Sequence, residues 1–151
     1  MEADVVADRR WMERCEELAL DAAALGDAAV GAIVVCQGTA VAEASEQVNA
    51  TRDPTAHAEA AAIRMACRVL GTLNLTGCTL YTNTEPCWMC AFVIRAAGIR
   101  EVVVGSPVAD IGGATSRFPI LTDAAVPDWG PPPMLRWLGR TGTPLTDSRS
   151  P

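Results

Sequence analysis

The feature that most constrains this chain is a pair of short motifs separated by 26 residues. The first, His57-Ala58-Glu59, contains the only histidine of the 151 residues, and the second is Pro86-Cys87-Trp88-Met89-Cys90. One histidine and two cysteines can hold zinc through three protein ligands, which leaves a fourth position for water. A glutamate beside the histidine can move the protons of that water. A fold that brings the two motifs to one point therefore makes an open metal site.

The spacing inside each motif sets the local structure that it needs. Cys87 and Cys90 are three residues apart and share one face if they begin a helix, where the free N–H groups and the helix dipole favour thiolates. His57 and Glu59 are two residues apart, so on a regular helix they would point about 200° apart. They share a site only if His57 lies at an irregular helix entry. Asp53-Pro54-Thr55 predicts such an entry, with Thr55 as the N-cap.

A structural zinc site is the alternative to an open, catalytic one. It generally has four protein ligands, and a fourth would have to be Cys15, Cys36, Cys67 or Cys78. Each of these cysteines lies on an apolar face or in an apolar strand, and is more simply a small buried hydrophobic residue. The open site, with one zinc per chain, is therefore the favoured interpretation.

Composition and charge limit the classes of protein that fit. Half of the residues are apolar, which predicts one domain over residues 1–138 with a flexible tail over 139–151. The net charge is −6 and all twelve basic residues are arginine, so a small substrate is expected rather than a nucleic acid. Six cysteines without a signal peptide or an apolar span predict a cytoplasmic protein with no membrane partner.

The order of apolar runs and stop signals predicts an α/β layered domain with a mixed sheet. Helices are predicted at 8–25, from 55 to about 70 and at 87–97, and strands at 30–36, 39–44, 78–82 and 101–105. The second helix is predicted to bury Ala62, Met65, Ala66, Val69 and Leu70. Beyond residue 105 the pattern weakens, and 127–133 is predicted to be a turn or a wrapping segment.

From about residue 26 to residue 116 the chain resembles the zinc-dependent cytidine/deoxycytidylate deaminase superfamily. The segments VGAIVV, DPTAHAEAAAIR and LYTNTEPCWMC carry this resemblance, and its nearest branches are guanine deaminases and bacterial tRNA adenosine deaminases. Residues 64–72 are more similar to the guanine deaminases, whereas 105–116 are spaced more like the tRNA enzymes. The motifs therefore point to the superfamily more specifically than to a substrate.

The resemblance implies a three-layer α/β/α fold with a mixed five-stranded sheet flanked by helices, and a homodimer. It also implies a mechanism in which zinc lowers the pKa of its bound water to about 7 and the resulting hydroxide attacks the carbon that bears an exocyclic amine. Glu59 would carry protons to the ring nitrogen and to the departing ammonia. The backbone N–H of Ala58 and the carbonyl of Glu85 would contact the substrate.

Two positions differ from the family pattern. Glu46 departs from both nearest branches, and Val108 departs from the tRNA enzymes. Where both carry a substrate-binding asparagine, this chain has Glu46, and Asn49 is the nearest asparagine. Either Glu46 contacts the substrate and favours a donor-rich ring, or it points to solvent and Asn49 takes over. The tRNA enzymes carry an aspartate where this chain has Val108.

These departures and the charge favour a free nucleobase or a similar small aminated heterocycle as the substrate. A guanine-like aminopurine is favoured, and cytosine or an aminotriazine also fits. A tRNA adenosine deaminase is the first alternative, and a catalytically silent, zinc-stabilised binding module is the second.

Several aromatic residues are candidates for the pocket wall. Trp88 either stacks on a flat substrate ring or lies in a dimer interface. Phe118 and Trp129 are candidate lids from the C-terminal segment, and Arg117 is a candidate contact for an anionic group. For each of these residues, ordinary packing or solvation is the alternative.

Overall fold

The computed structural model describes residues 2–126, 128 and 130–139. Nine elements follow one another along this part of the chain: α1 (Glu2–Ala24), β1 (Gly31–Cys36), β2 (Thr39–Ser45), α2 (Val48–Thr51), α3 (Ala58–Leu70), β3 (Cys78–Thr84), α4 (Trp88–Ala96), β4 (Glu101–Ser106) and β5 (Met134–Trp137). Trp129 and nearly all of the predicted tail lie outside the described residues. No described helix is long and apolar enough to cross a membrane.

The five strands form one mixed sheet in the order β2-β1-β3-β4-β5. β1 pairs antiparallel with both β2 and β3, whereas β3, β4 and β5 run parallel. α1 covers one face of this sheet, while α3 and α4 cover the other. The predicted three-layer α/β/α fold with a mixed five-stranded sheet is therefore confirmed.

Each face of the sheet carries its own apolar core. On the α1 side, Trp11, Met12 and Cys15 pack against Ile33 and Val103. The close approach of α1 to β1 requires Gly31, since a Cβ there would lie 2.3 Å from the carbonyl oxygen of Cys15. On the other side, small alanines of α3 let that helix lie close over β1 and β2. This packing fixes the start of α3 against the sheet.

The segment after β4 is attached to α4 by hydrogen bonds that hydrophobic periodicity does not predict. The guanidinium of Arg95, buried at the end of α4, donates hydrogen bonds to the carbonyl oxygens of Ile120, Asp123, Val126 and Gly130. These bonds hold the segment between β4 and β5 against α4. The local sequence pattern did not predict β5, which is an edge strand.

A partly buried charged network then attaches β5 to helix α1. Arg136 of β5 donates to Asp8 of α1 and to Glu101 of β4. The hydroxyl of Tyr81 also donates to Asp8, at 2.7 Å. Asp8 thus accepts hydrogen bonds from β3 and β5, and these bonds fix α1 against its face of the sheet.

Three details of the predicted helices are wrong. The first helix begins at Glu2 rather than residue 8, because residues 2–7, which are mostly exposed, continue it beyond its buried face. The second begins at Ala58, because Thr55 hydrogen-bonds Asp53 in a turn and leaves the N-cap position to His57. Its predicted core side is also misplaced: Met65, Val69 and Leu70 are exposed, and the buried face is formed by Ala58, Glu59, Ala60, Ala62, Ile63 and Ala66.

Candidate active site

Both sequence motifs lie at helix starts, and the fold brings these two starts together. His57 is the N-cap of α3 and Cys87 is the N-cap of α4, each with an extended backbone. The Nδ1 atom of His57 lies 3.5 Å from the Sγ atom of Cys87. The donor atoms of His57, Cys87 and Cys90 all lie within 4.8 Å of one another. One nitrogen and two sulfurs therefore converge on one point.

The chemistry of these donors fits zinc. Zinc binds imidazole nitrogen and thiolate sulfur, and catalytic sites commonly use three protein ligands. A hydrogen bond from the Cys90 thiol, together with backbone N–H groups at the start of α4, lowers the pKa of Cys87 to about 5 against the effect of burial. The same contact and burial raise the pKa of Cys90. Among the described residues, none of the other four cysteines joins this donor group.

Glu59 lies directly behind the donors, in the first turn of α3. Its Oε2 atom lies 3.6 Å from Cys90 Sγ, and its Oε1 atom 3.4 Å from the hydroxyl of Thr82. The carboxyl is fully buried, and this desolvation raises its pKa to about 7. A carboxyl group with such a pKa can both take up and release a proton near neutral pH.

Glu46, which follows β2, is also brought to this point. Its buried carboxylate accepts the backbone N–H of Ala58 through Oε2 at 2.9 Å, while Oε1 lies 3.9 Å from Nδ1 of His57. Oxygens of Glu46 and Glu59 and a nitrogen of His57 lie within 4.8 Å of one another. Burial raises the pKa of Glu46, although the hydrogen bond from Ala58 opposes this.

The alternative prediction, that Glu46 points to solvent and Asn49 takes its place, differs from the arrangement in the structure. The side-chain amide of Asn49 donates to the carbonyl oxygen of Gly26, and its backbone N–H donates to Asp27. Asn49 is exposed in the short helix α2, whereas Glu46 is buried beside the donor group and does not point to solvent. The N–H of Ala58, for which the resemblance implied a substrate contact, is bonded to Glu46.

The carboxylate of Glu85 organises the loop beside the site, a role that sequence reasoning missed. It accepts the backbone N–H groups of Val108, Ala114 and Thr115 and the hydroxyl of Thr115. Gly112 lies so close that a Cβ there would be 1.8 Å from Glu85 Oε2. These bonds hold residues 108–115 against the turn that carries Cys87. The sequence gives no signal for them, because the acceptor and its donors are more than 20 residues apart.

The aromatic candidates form a pair at the rim of this loop. The indole N–H of Trp88 donates to the hydroxyl of Ser116 at 3.0 Å, and its ring packs edge-on against Phe118 at 5.7 Å between centroids. The Arg117 guanidinium lies 5.7 Å from the Phe118 ring. Both rings keep a large exposed area, so they are rim residues and not part of the core.

A three-layer α/β/α domain with two helix starts that present one histidine, two cysteines and a buried glutamate is the architecture expected of zinc-dependent deaminases. A sequence model of the cytidine and deoxycytidylate deaminase zinc-binding region matches residues 6–106. The chain belongs to this family. The predicted zinc cofactor is accordingly confirmed, with His57, Cys87 and Cys90 as the group able to hold it.

Relatives in this family differ in the substrates that their names state. The chain is 42% identical over 98 residues to the tRNA-specific adenosine deaminase of Aquifex aeolicus, covering 65% of each chain. It is 44% identical over 84 residues to the guanine deaminase of Bacillus subtilis, covering 56% of this chain and 54% of that one. The match thus spans about half to two thirds of the length of these relatives. The names of these relatives do not support the prediction that a nucleic-acid partner is unlikely.

Solved structures of both groups resemble this chain. A structure from work on A-to-I editing by tRNA:A34 deaminases superposes with a TM-score of 0.79 at 33% identity, covering 85% of this chain and 91% of that one. The guanine deaminase of Bacillus subtilis superposes with a TM-score of 0.63 at 39% identity, covering 65% and 63%. The family is therefore clear, while the two substrate classes match at similar identity.

Proposed function

We propose that this protein is a zinc-dependent hydrolytic deaminase that releases ammonia from a free nucleobase or a similar small aminated heterocycle. The observation that carries this proposal is the buried carboxylate of Glu46 beside His57 and Glu59. Two carboxyl groups therefore line the site at the donor cluster. An acidic site in a chain of net charge −6 suits a neutral or donor-rich ring better than a polyanion.

The residues of the chain divide the proposed reaction between them. His57, Cys87 and Cys90 would hold the metal, which would supply a water of pKa about 7 as the nucleophile. Glu59 would accept one proton of the attacking water and deliver it to the ring nitrogen. It would then transfer the second proton, from the hydroxyl group now on the attacked carbon, to the departing amine as the C–N bond breaks. Its burial keeps both protonation states accessible near neutral pH. The final step leaves a carbonyl group on the ring and releases ammonia.

Glu46 supplies the recognition in this proposal. Ala58 fixes one oxygen of the carboxylate, so the second oxygen stays on the side of His57 and Glu59. A carboxylate oxygen accepts hydrogen bonds and does not donate them. A ring N–H beside the reacting carbon, or a further amino group on the ring, would complete this contact. This favours a guanine-like aminopurine or an aminotriazine over cytosine, whose ring N–H is not next to its aminated carbon.

The deciding experiment measures ammonia release by the zinc-loaded protein from guanine, cytosine, adenine, their nucleosides and aminotriazines. We expect turnover of at least one free base, and loss of essentially all turnover in Glu59→Gln, with fold and zinc content retained. Glu17→Gln, which changes an exposed glutamate of α1, is the matched control and should leave turnover intact. Equal inactivity of wild type and Glu59→Gln over the whole panel would favour a silent binding module instead.

A tRNA adenosine deaminase is the second candidate, favoured by the extent of the structural match. The TM-score of 0.79 extends over 91% of a tRNA:A34 deaminase structure, against 0.63 over 63% of the guanine deaminase. The test is inosine formation in tRNA by the same preparation that is used for the ammonia panel. Activity on tRNA together with inactivity on every free base would overturn the small-substrate proposal.

We also propose that the protein acts as a cytoplasmic homodimer. The outer surface of α3 and α4 exposes Val69, Phe92 and the adjoining Leu73, beside an apolar groove of about 480 Å³. Exposed apolar patches of this kind commonly mark interfaces in proteins. Sedimentation should give twice the chain mass of 15.9 kDa, and a monomer at micromolar concentration would contradict this part of the proposal.

A further inference from the structure

Two cysteines outside the zinc-binding group face each other across neighbouring strands. Cys36 ends β1 and Cys78 begins β3, and the two are direct partners in the antiparallel register. Both side chains lie on the sheet face that carries α3 and α4. Cys36 Sγ lies 3.8 Å from the carbonyl oxygen of Gly77, the residue just before Cys78.

The backbone geometry at this pair fits a disulfide. Residues directly opposite in an antiparallel ladder have Cα atoms roughly 4.5–5.5 Å apart. A disulfide bridges Cα atoms that are roughly 4.4–6.8 Å apart. The strand register therefore places the two cysteines within the range of Cα separation that a disulfide spans.

The two thiols differ in access and in protonation. Cys36 is only half-buried, whereas Cys78 is buried at 4% exposure. Burial and the neighbouring Cys36 thiol raise the pKa of Cys78 to about 12. An oxidant from solvent thus reaches Cys36 first, and Cys78 lies beside it as the second thiol. Cys67 of α3, also half-buried, borders the same apolar cluster.

We propose that Cys36 and Cys78 form a thiol oxidation site that closes into a cross-strand disulfide when a hydroperoxide reaches it. The Cys36 sulfur attacks the peroxide, so that an S–O bond forms while the O–O bond breaks, and an alcohol or water leaves. The Cys78 sulfur then displaces the oxygen from Cys36: the S–S bond forms, the S–O bond breaks, and the proton of Cys78 leaves with the oxygen as water. Two thiols lose two electrons and the peroxide gains them.

The cross-link has a consequence for the site, although it does not rest on the proposed deamination. It closes a loop over residues 36–78, which contains Glu46, His57 and Glu59. A disulfide stabilises a fold mainly by restricting the unfolded chain, and more so for long loops. Oxidation would therefore stabilise the folded form of the segment that carries Glu46, His57 and Glu59.

The test treats the zinc-loaded protein with a few equivalents of hydrogen peroxide, alkylates the remaining thiols and maps the peptides without reduction. We expect one cross-link, which joins the peptide that carries Cys36 to the peptide that carries Cys78. Cys36→Ser and Cys78→Ser should each abolish it, and Cys67→Ser, the matched control, should keep it. The zinc content measures whether Cys87 and Cys90 stayed out of the reaction.

Thermal unfolding gives a second readout. The oxidised wild type should melt at least roughly 5 °C above the reduced protein, because the closed loop is long. Cys36→Ser should show no such rise after the same treatment. A cross-link of Cys36 to Cys67, or sulfinic acid at Cys36 with Cys78 still a free thiol, would overturn the proposal. Neither outcome depends on whether the protein deaminates any substrate.

Discussion

The carboxylate of Glu46 caps helix α3 from a distance of 12 residues, by accepting the N–H of Ala58 at 2.9 Å. The N-cap residue itself, His57, makes no side-chain capping bond, which leaves its imidazole available to a metal. An anion at this position is favoured by the free N–H groups and the dipole at the helix start. The capping contact thus also places the Glu46 carboxylate, a hydrogen-bond acceptor, beside the metal donors.

Replacing Glu46 by glutamine tests this arrangement with little change of shape. The glutamine oxygen can still accept the N–H of Ala58, and its NH₂ group then faces the site as a donor. We expect kcat/KM for substrates with a donor beside the reacting carbon to fall by about tenfold or more, which corresponds to about 1.4 kcal/mol. Substrates with an acceptor there should be favoured instead. A uniform loss over all substrates, with zinc retained, would show that Glu46 does not select among them.

The sequence was sufficient for the features that depend on local spacing. His57 at the entry of α3 follows from the need for Glu59 to share its site, and Cys87 at the start of α4 follows from its neighbour Pro86. Thr55 was the wrong N-cap, because its hydroxyl was satisfied within a turn by Asp53. Local rules therefore found both helix starts, with one of them misplaced by a few residues.

Features that depend on distant partners were beyond such rules. Arg95 lies in an apolar helix and looks like a solvated end residue, yet it binds carbonyl groups 25–35 residues away. The carboxylate of Glu85 likewise binds a loop 23–30 residues away. Among the described strands, β5 pairs with β4 alone, and it is four residues long, so its own sequence carries little signal. Those contacts exist only once the chain has folded.

The contact between Gly112 and Glu85 predicts a steric effect at a single methyl group. In Gly112→Ala the new Cβ would lie 1.8 Å from Glu85 Oε2 and 2.4 Å from the carbonyl oxygen of Val108, so the loop must move. We expect the free energy of unfolding, measured in urea, to fall by about 1–3 kcal/mol. Gly77→Ala is the control, since nothing lies within 4 Å of its Cβ and its φ is not positive. Equal stability of the two variants would contradict the observed contact.

The buried guanidinium of Arg95 predicts local as well as global effects. Arg95→Met leaves four carbonyl oxygens without this donor, so we expect a loss of at least about 2 kcal/mol in the free energy of unfolding. Hydrogen exchange should also become faster over 120–126. Arg100→Met, which changes an exposed arginine next to β4, is the matched control. If both variants exchange alike, the wrapping segment is held by other contacts.

The zinc-binding group predicts a simple metal balance. The purified protein should contain about one zinc per chain by elemental analysis, and Cys87→Ala or Cys90→Ala should lose it. Removal of the metal with a chelator should lower Tm, because a bound ligand stabilises the folded state. Cys67→Ser should keep full occupancy, since Cys67 is not part of the group. Full occupancy in Cys87→Ala would instead refute the ligand assignment.

The network around Asp8 predicts how stability depends on alkaline pH. Burial and the hydrogen bond to Asp8 raise the pKa of Tyr81 in the folded protein. Below the unfolded pKa of about 10 the phenol is protonated in both states, so its contribution to stability is complete. Above this pH the unfolded chain loses the proton more readily, and the free energy of unfolding should fall. Urea titrations at pH 9 and pH 11 measure this fall. It should be smaller in Tyr81→Phe, which has no phenolic proton to lose, and an equal fall in both proteins would assign the pH dependence to other groups.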